Sequence, residues 1–450
     1  MTSGFVIVRL VAAHLAALAC GLNLLALVIR GARSWPAALR LGVAYPLGTT
    51  AITLMLFMLN WLSLRLSTLN VATATVLLLV ASVAACSLAR APNLSGDTRG
   101  EREPLDLWSI ILLVLLGVHL LSMSLVPLRN LFIAHDVLWY WGFLARAFAY
   151  SGATDFPPQV TFAYPMHVPL GQAYLYLAIG QINLVLGKTF FVAQLWALAA
   201  CVYGAQRVAG VTRAWSLFFT VAAVACPLTV VRAAGLDMAD LTESVGVLIL
   251  FAGTALFFDK QEWDFLRLAG IGGIIAVWTK PEGAVWLALA GAVAVVLCWR
   301  TFGKKQAAVA AATVGAAPFV IWLALAAFAR SRGLPTAAEF LTFQLHRLPS
   351  AVVIVLSSLV NPWDWGCIWY HWLAAIVVGG GMLLRGRRGV LNSLIIGGLL
   401  ITIGLHATTG VNPGVGPDKR FTQLLPAVAL LLGWTWPALL SSKRETARPD

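Results

Sequence analysis

The strongest constraint on this chain is a series of long apolar runs that follow one another along nearly the whole sequence. A helix that crosses the hydrocarbon core of a membrane needs roughly 20 such residues. Hydrophobic residues make up 60% of the chain and charged residues only 11%, whereas soluble domains average about 25% charged. We therefore expect an all-α polytopic membrane protein, multi-pass in the plasma (inner) membrane and in contact with membrane lipids.

The apolar runs predict about 13 transmembrane helices. The first run is too long for the core of a signal peptide and is interpreted as a retained span. The predicted spans are 4–29, 38–62, 69–89, 106–127, 189–206, 214–231, 240–258, 265–279, 282–299, 307–329, 366–385, 389–408 and 421–440.

One polar segment containing proline and glycine, APNLSGDTRGEREPL, interrupts this series. It predicts a boundary between a short unit and a longer core. The expected organisation is an N-terminal three-span unit at 1–90, a cytoplasmic linker at 91–105, a transmembrane core at 106–440 and a cytoplasmic tail at 441–450.

The basic residues orient the chain, because cytoplasmic loops of membrane proteins are rich in Lys and Arg. Arg30 and Arg33 place the first loop inside the cell. Segment 168–187 is apolar enough for a span, but counting it as one would put the later basic loops outside. We interpret it as a re-entrant element, which protein can cover at membrane depth. Nearly all remaining polar loops then lie on the external side.

Charge and cysteine content exclude several functions. The net charge of +13 is explained by basic residues in short loops, so no nucleic-acid partner is expected. The six cysteines lie in or beside apolar runs without close pairs, which is typical of small core residues. We find no phosphate-binding glycine loop and no metal-ligand spacing, so we expect no cofactor and assign no metal-binding residue, and the metal requirement stays open.

The most unusual stretch is LFIAHDVLWYWGFLARAFAY at 131–150. As a helix it would place Asp136 and Tyr140 on one face and His135 on the neighbouring one. Its Trp and Tyr residues are typical of an external interfacial helix. An ionisable residue at membrane depth usually has a functional role, and this favours such a role for Asp136. The alternative is a structural helix whose Asp136 pairs with Arg146 or caps the start.

Four further external stretches carry polar residues, and three of them have a structural alternative. His167 could contact substrate or be structural, and Asp240 could cap a helix with Glu243. Lys280 and Glu282 could neutralise one another, whereas a basic pair before the last span favours an anion site. The candidate residues are Tyr164, His167, Asp237, Asp240, Lys280, Glu282, Lys419 and Arg420.

The order of these motifs along the chain resembles that of a known family of membrane proteins. The external aspartate is followed by YPMHVPL, GLDMADL, TKPEG and GPDKRFTQLLP. Between about 106 and 440 the chain resembles the GT-C superfamily of polyprenyl-phosphate-sugar-dependent glycosyltransferases, which includes protein O-mannosyltransferases and aminoarabinose lipid A transferases. It departs from many relatives in having histidine before a single aspartate, no large soluble C-terminal domain and three extra N-terminal spans.

The resemblance implies transfer of a sugar from a polyprenyl-phosphate donor to a lipid, glycan or protein acceptor on the external (periplasmic) face. It implies that Asp136 is the catalytic base. A single base opposite a phosphate leaving group favours direct displacement with inversion at the anomeric carbon. The departures from the family leave the metal dependence open. The residues expected to bind donor phosphate are Lys280, Lys419 and Arg420. The residues expected to line the substrate site are His135, Tyr140, Tyr164, His167, Asp237, Asp240 and Glu282.

Two other functions fit the same residues. An oligosaccharide polymerase or ligase with a diphosphate-linked donor would also use the basic pair. A transporter or flippase of lipid-linked substrates would also place charges within the membrane. Transporters commonly show internal repeats, and this chain shows none, while its unexplained charges gather on one side. Both observations favour an enzyme.

Overall fold

The computed structural model describes residues 3–88, 105–129, 140–154, 164–234, 239–335, 344–408 and 418–446. These residues form helices and no β-strand. The helices are α1 (Ser3–Val28), α2 (Ala37–Trp61), α3 (Thr68–Leu88), α4 (Leu107–Arg129), α5 (Gly142–Ser151), α6 (His167–Ile179), α7 (Leu184–Gly187), α8 (Thr189–Val208), α9 (Arg213–Val224), α10 (Pro227–Ala234), α11 (Ala239–Lys260), α12 (Trp263–Thr279), α13 (Glu282–Phe302), α14 (Lys304–Ser331), α15 (Leu348–Leu359), α16 (Pro362–Trp365), α17 (Ile368–Gly379), α18 (Gly386–His406) and α19 (Asp418–Thr446).

Ten helical segments in the described residues are long and apolar enough to cross a membrane. They confirm the expected class of all-α polytopic membrane protein. The ten segments are α1, α2, α3, α4, α7 with α8, α11, α13, α14, α18 and α19. The other three predicted spans coincide with shorter helices: α9 with α10, α12, and α17. The count of about 13 crossings stays a prediction.

The predicted span 214–231 is two helices in the structure. Helix α9 ends at Val224 and α10 begins at Pro227. Proline has no backbone N–H and its ring clashes with the preceding helical turn, so it begins a helix more readily than it continues one. The apolar run therefore contains a break that hydropathy alone does not reveal.

Segment 168–187 also folds as two helices, α6 and α7. Helix α6 has 13 residues and is about 20 Å long, which is less than the roughly 30 Å of a hydrocarbon core. It ends at Gly180, whose φ of 76° is costly for other residues. These dimensions fit a partial crossing, and the re-entrant path stays a prediction.

Helices α1 and α2 cross at unusually close range. A Cβ added to Gly21 would lie 1.8 Å from the carbonyl oxygen of Ala44, and one added to Gly48 would lie 1.8 Å from that of Ala17. Each helix thus presents two small residues four positions apart. Such pairs let the backbones of membrane helices pack directly against each other.

Contacts between helix ends define the two ends of the bundle. At one end, Arg387 lies 2.6 Å from Asp259 and donates to the carbonyl oxygen of Ala209. At the same end, Oδ2 of Asp264 accepts a hydrogen bond from the backbone N–H of Gly31. The start of α11 and the end of α12 lie at the opposite end, where the candidate site is found. Which end faces outward stays a prediction.

Candidate functional site

The turn between α12 and α13 places Lys280 at the site. Helix α12 ends at Thr279 and α13 begins at Glu282, so only two residues reverse the chain. The backbone N–H of Gly283 donates to the carbonyl oxygen of Lys280 at 3.0 Å. A Cβ at Gly283 would lie 2.2 Å from the carbonyl carbon of Ala276, so this close return needs glycine.

Three carboxylates surround the ammonium group of Lys280. Its Nζ lies 2.7 Å from Oδ1 of Asp240, 3.9 Å from Oε2 of Glu243 and 3.7 Å from Oε1 of Glu282. The Lys280 side chain is 8% exposed. These four residues, with Arg420, are called the charged cluster below.

The electrostatics of the charged cluster keep Lys280 protonated. Burial opposes its positive charge, but Asp240, Glu282 and Glu243 together outweigh burial and hold the pKa of Lys280 above its ordinary value. A buried lysine without such partners would have a lowered pKa. The cost of burying this ammonium group is therefore offset by ion pairs formed between separate helices.

Arg420 joins the charged cluster from the first turn of α19. Its Nη2 lies 3.9 Å from Oε1 of Glu282, and its Nη1 lies 3.3 Å from Nδ1 of His406 at the end of α18. Its Nε is buried and has no hydrogen-bond partner within the described residues. The guanidinium group therefore keeps a donor that a ligand could use.

Gln423, one turn after Arg420, connects three helices. Its Oε1 accepts a hydrogen bond from the indole N–H of Trp286 at 2.8 Å, and its Nε2 donates to Oε2 of Glu243. An indole nitrogen can only donate, so it fixes which end of the amide faces Glu243. Gln423 thereby positions Glu243 against the turn that carries Lys280.

His167 connects this turn to helix α2. Its Nδ1 lies 2.9 Å from Oγ1 of Thr279, and its Nε2 lies 3.3 Å from Oγ1 of Thr49. The side chain is fully buried, and burial lowers the pKa of His167 to about 3. This geometry matches the structural alternative for His167, while contact with substrate stays a prediction.

The two candidate tyrosines lie together. The backbone N–H of Tyr164 donates to the hydroxyl oxygen of Tyr140 at 2.9 Å, and the ring centroids are 5.0 Å apart. Trp141 packs against Tyr164 at 5.3 Å. Burial raises the pKa of Tyr140, so its hydroxyl stays protonated. The ring of Tyr164, three residues before His167, is thus held against the ring of Tyr140.

An apolar groove of about 580 Å³ runs between α12, α13 and α14. It begins at Val277 and Ala284, which flank the turn of the charged cluster. Much of its lining consists of small side chains that keep it open: Ala284, Ala288, Ala292, Ala312, Gly315 and Ala316.

The structure brings together some predicted site residues and leaves others untested. Asp240, Lys280, Glu282 and Arg420 meet in the charged cluster. The predictions for His135, Asp136 and Asp237 fall outside the described residues, as does the side chain of Lys419. Among the described residues, no group of three or more His, Cys, Asp and Glu is arranged to hold a metal ion.

Sequence reasoning missed Gln423 and His406 and interpreted Glu243 only as part of a helix cap. The structure places Asp240 inside the first turn of α11, bonded to Lys280. The sequence did contain a signal for Glu243 and Gln423. Glu243 follows Asp240 by three positions and Gln423 follows Arg420 by three, and residues three apart lie on the same face of a helix.

Comparisons of the chain with models of protein families, with curated proteins and with solved structures find no match.

Proposed function

We propose that this protein is an integral membrane glycosyltransferase that moves a sugar from a polyprenyl-phosphate donor to a lipid, glycan or protein acceptor on the external face. One observation carries the proposal: the turn at Lys280 separates a buried charged cluster from an apolar groove. A lipid phosphate has the same two parts, an anionic head and a hydrocarbon tail.

The groove fits the tail. Val277 and Ala284 line the groove and lie within one helical turn of Lys280. A hydrocarbon chain there would leave its phosphate beside the charged cluster. Binding would be favoured by burial of apolar area, at roughly 25 cal/mol per Å². This arrangement also accounts for an enzyme built almost wholly within the membrane.

Of the two cations in the charged cluster, Arg420 is the better phosphate ligand. Nζ of Lys280 lies 2.7 Å from Asp240, whereas the nearest carboxylate oxygen to Arg420 among the described residues is Oε1 of Glu282, at 3.9 Å. A guanidinium group binds phosphate through two parallel hydrogen bonds. We therefore assign the donor phosphate to Arg420 with Lys419, and we assign to Lys280 the positioning of Glu282 beside Arg420.

The chemistry follows from these roles. The acceptor hydroxyl oxygen attacks the anomeric carbon while the bond from that carbon to the phosphate oxygen breaks. Asp136 takes the hydroxyl proton, which typically contributes a factor of roughly 10²–10⁴. The departing phosphate gains negative charge, which Arg420 stabilises. Because the acceptor displaces the phosphate directly with the help of a single base, transfer inverts the anomeric configuration.

Purified protein in lipid nanodiscs tests this function with a radiolabelled polyprenyl-phosphate sugar and envelope lipids as acceptor. Wild-type protein should transfer label, and Asp136→Asn should not, while Glu262→Gln, at the far end of the bundle, should behave as wild type. Full activity in Asp136→Asn would reject the base. Transfer only from a diphosphate-linked donor would favour a polymerase or ligase.

A transporter of lipid-linked substrates is the second candidate. It is favoured by the buried carboxylates, because ionisable residues within membrane bundles often mark a transport path. Proteoliposomes separate the two functions. A flippase would move labelled lipid phosphate between leaflets without changing it covalently, and a glycosyltransferase would release free polyprenyl phosphate.

A further inference from the structure

Glu243 is the most deeply buried member of the charged cluster. Its side chain is 0% exposed, compared with 22% for Glu282. Its Oε2 accepts a hydrogen bond from Nε2 of Gln423 and lies 3.9 Å from Nζ of Lys280. Its Oε1 is buried without a hydrogen-bond partner within the described part of the chain. One oxygen is therefore held by donors and the other is not.

Among the described residues, the charges around Glu243 do not balance if all three carboxyl groups are ionised and His406 is neutral. A neutral His406 is favoured because its Nδ1 lies 3.3 Å from the cationic guanidinium group of Arg420. The charges come from the start of α11, from the turn between α12 and α13, and from the start of α19, with His406 of α18 behind Arg420. Within the described part of the chain, three carboxylates then face two cations, so these described charges sum to one negative charge. An uncompensated buried charge is costly, and such a group usually becomes neutral instead. The facing groups are Asp240, Lys280, Glu282, Arg420 and His406.

Geometry selects which carboxyl group is neutral. Asp240 has the closest contact with Lys280, at 2.7 Å. Glu282 lies between two cations, 3.7 Å from Lys280 and 3.9 Å from Arg420. Among the described residues, Lys280 at 3.9 Å is the one cation within ion-pair distance of Glu243, and the hydrogen-bond donor to Glu243 is the neutral amide of Gln423. The negative charge is therefore least stabilised on Glu243.

We infer that Glu243 is a proton-binding site, protonated on Oε1 at neutral pH, which makes the described charged cluster electrically neutral. The proton comes from water and the site releases it to water. No bond other than O–H forms or breaks.

The proton on Glu243 is linked to the binding of an anion at Arg420. An anion that binds at Arg420 offsets part of the positive charge facing Glu243. The proton on Glu243 is then held more tightly, and by linkage a lower pH strengthens anion binding. The proton site itself does not depend on the proposed glycosyltransferase activity.

Infrared spectroscopy of the purified protein tests the proton directly. At pH 7 the wild-type spectrum should contain the C=O stretching band of a protonated carboxylic acid, which shifts in D₂O. Glu243→Gln should lack that band. The variant should also fold, because the glutamine carbonyl can accept the Gln423 amide while its NH₂ group replaces the Oε1 hydroxyl. Glu262→Gln, at an exposed position, should keep the band.

Two results would overturn the inference: absence of the protonated band in wild-type protein, or its persistence in Glu243→Gln. A second measurement uses melting temperature in detergent. As pH rises from 5 to 9 the wild-type protein should lose stability relative to Glu243→Gln, because the unfolded wild-type chain releases the Glu243 proton in this range whereas the folded protein must either keep it or bury a charge. Parallel pH profiles, or a Glu243→Gln variant that does not fold, would also contradict a neutral Glu243.

Discussion

The Nζ atom of Lys280 lies 2.7 Å from Oδ1 of Asp240, although the two residues are 40 positions apart in the chain. This ion pair closes the antiparallel pair α11 and α12 at the end of the bundle where the candidate site lies. Binding of donor phosphate by Lys280 stays a prediction.

Lys280→Met should destabilise the protein strongly. The variant removes the ammonium group that lies 2.7 Å from the buried carboxylate of Asp240, and breaking a buried ion pair typically costs about 3–5 kcal/mol. Thermal unfolding in detergent measures the loss. Adding Asp240→Asn to Lys280→Met should recover part of it, and Lys305→Met, at an exposed position, should have little effect. Equal melting temperatures for Lys280→Met and wild type would contradict the assigned pairing.

Gly48→Ala should weaken the crossing of α1 and α2. The added Cβ would lie 1.8 Å from the carbonyl oxygen of Ala17, so the helices must separate, at a cost of about 1–3 kcal/mol. Gly117→Ala is the matched control, because a Cβ there meets nothing within 4 Å. The control should be neutral or slightly stabilising, since alanine favours helix. A similar melting temperature for both variants would exclude the close crossing.

His167 should make stability depend on pH. Its pKa is about 3 when buried and 6.5 ordinarily, so the unfolded state binds more protons between these values. The stabilisation is complete above pH 6.5 and falls as pH decreases toward 3, by about 1.4 kcal/mol per pH unit. Melting temperatures of wild type and His167→Gln should converge with decreasing pH. His346→Gln, at an exposed position, should follow wild type, and a constant gap for His167→Gln would refute this prediction.

Ala288→Trp should obstruct the apolar groove. If the groove holds the donor tail, the variant should raise KM for a long polyprenyl-phosphate sugar and leave KM for a short-chain analogue nearly unchanged. Val296→Trp is the control, because Val296 lies on the same helix but does not line the groove. An equal effect of Ala288→Trp on both donors would place the tail elsewhere.

The sequence predicted the helical membrane class because run length directly reflects bilayer thickness. It also predicted the turn at Lys280, since proline and glycine interrupt the apolar run there. It could not predict the ion pair with Asp240, because that contact depends on how α11 and α12 pack rather than on spacing. For the same reason, the sequence could not predict the hydrogen bond between Gln423 and Trp286.

The sequence was less informative about short helices. The break before Pro227 lies inside one apolar run, and hydropathy averaged over a span does not detect it. Helix α15 (Leu348–Leu359) was not predicted at all, because its 12 residues are too few for the span criterion. Both cases concern elements whose ends are set by backbone geometry and packing.

The hydrogen bonds of His167 bear on how the chain can be shortened. This histidine contacts Thr49 in the second helix and Thr279 beside Lys280. A protein truncated to begin at residue 106 would retain every candidate catalytic residue, yet it would leave one imidazole nitrogen in a vacated interior. The first helices therefore act as part of the scaffold of the site, and coexpressing them as a separate fragment is the natural way to restore a truncated chain.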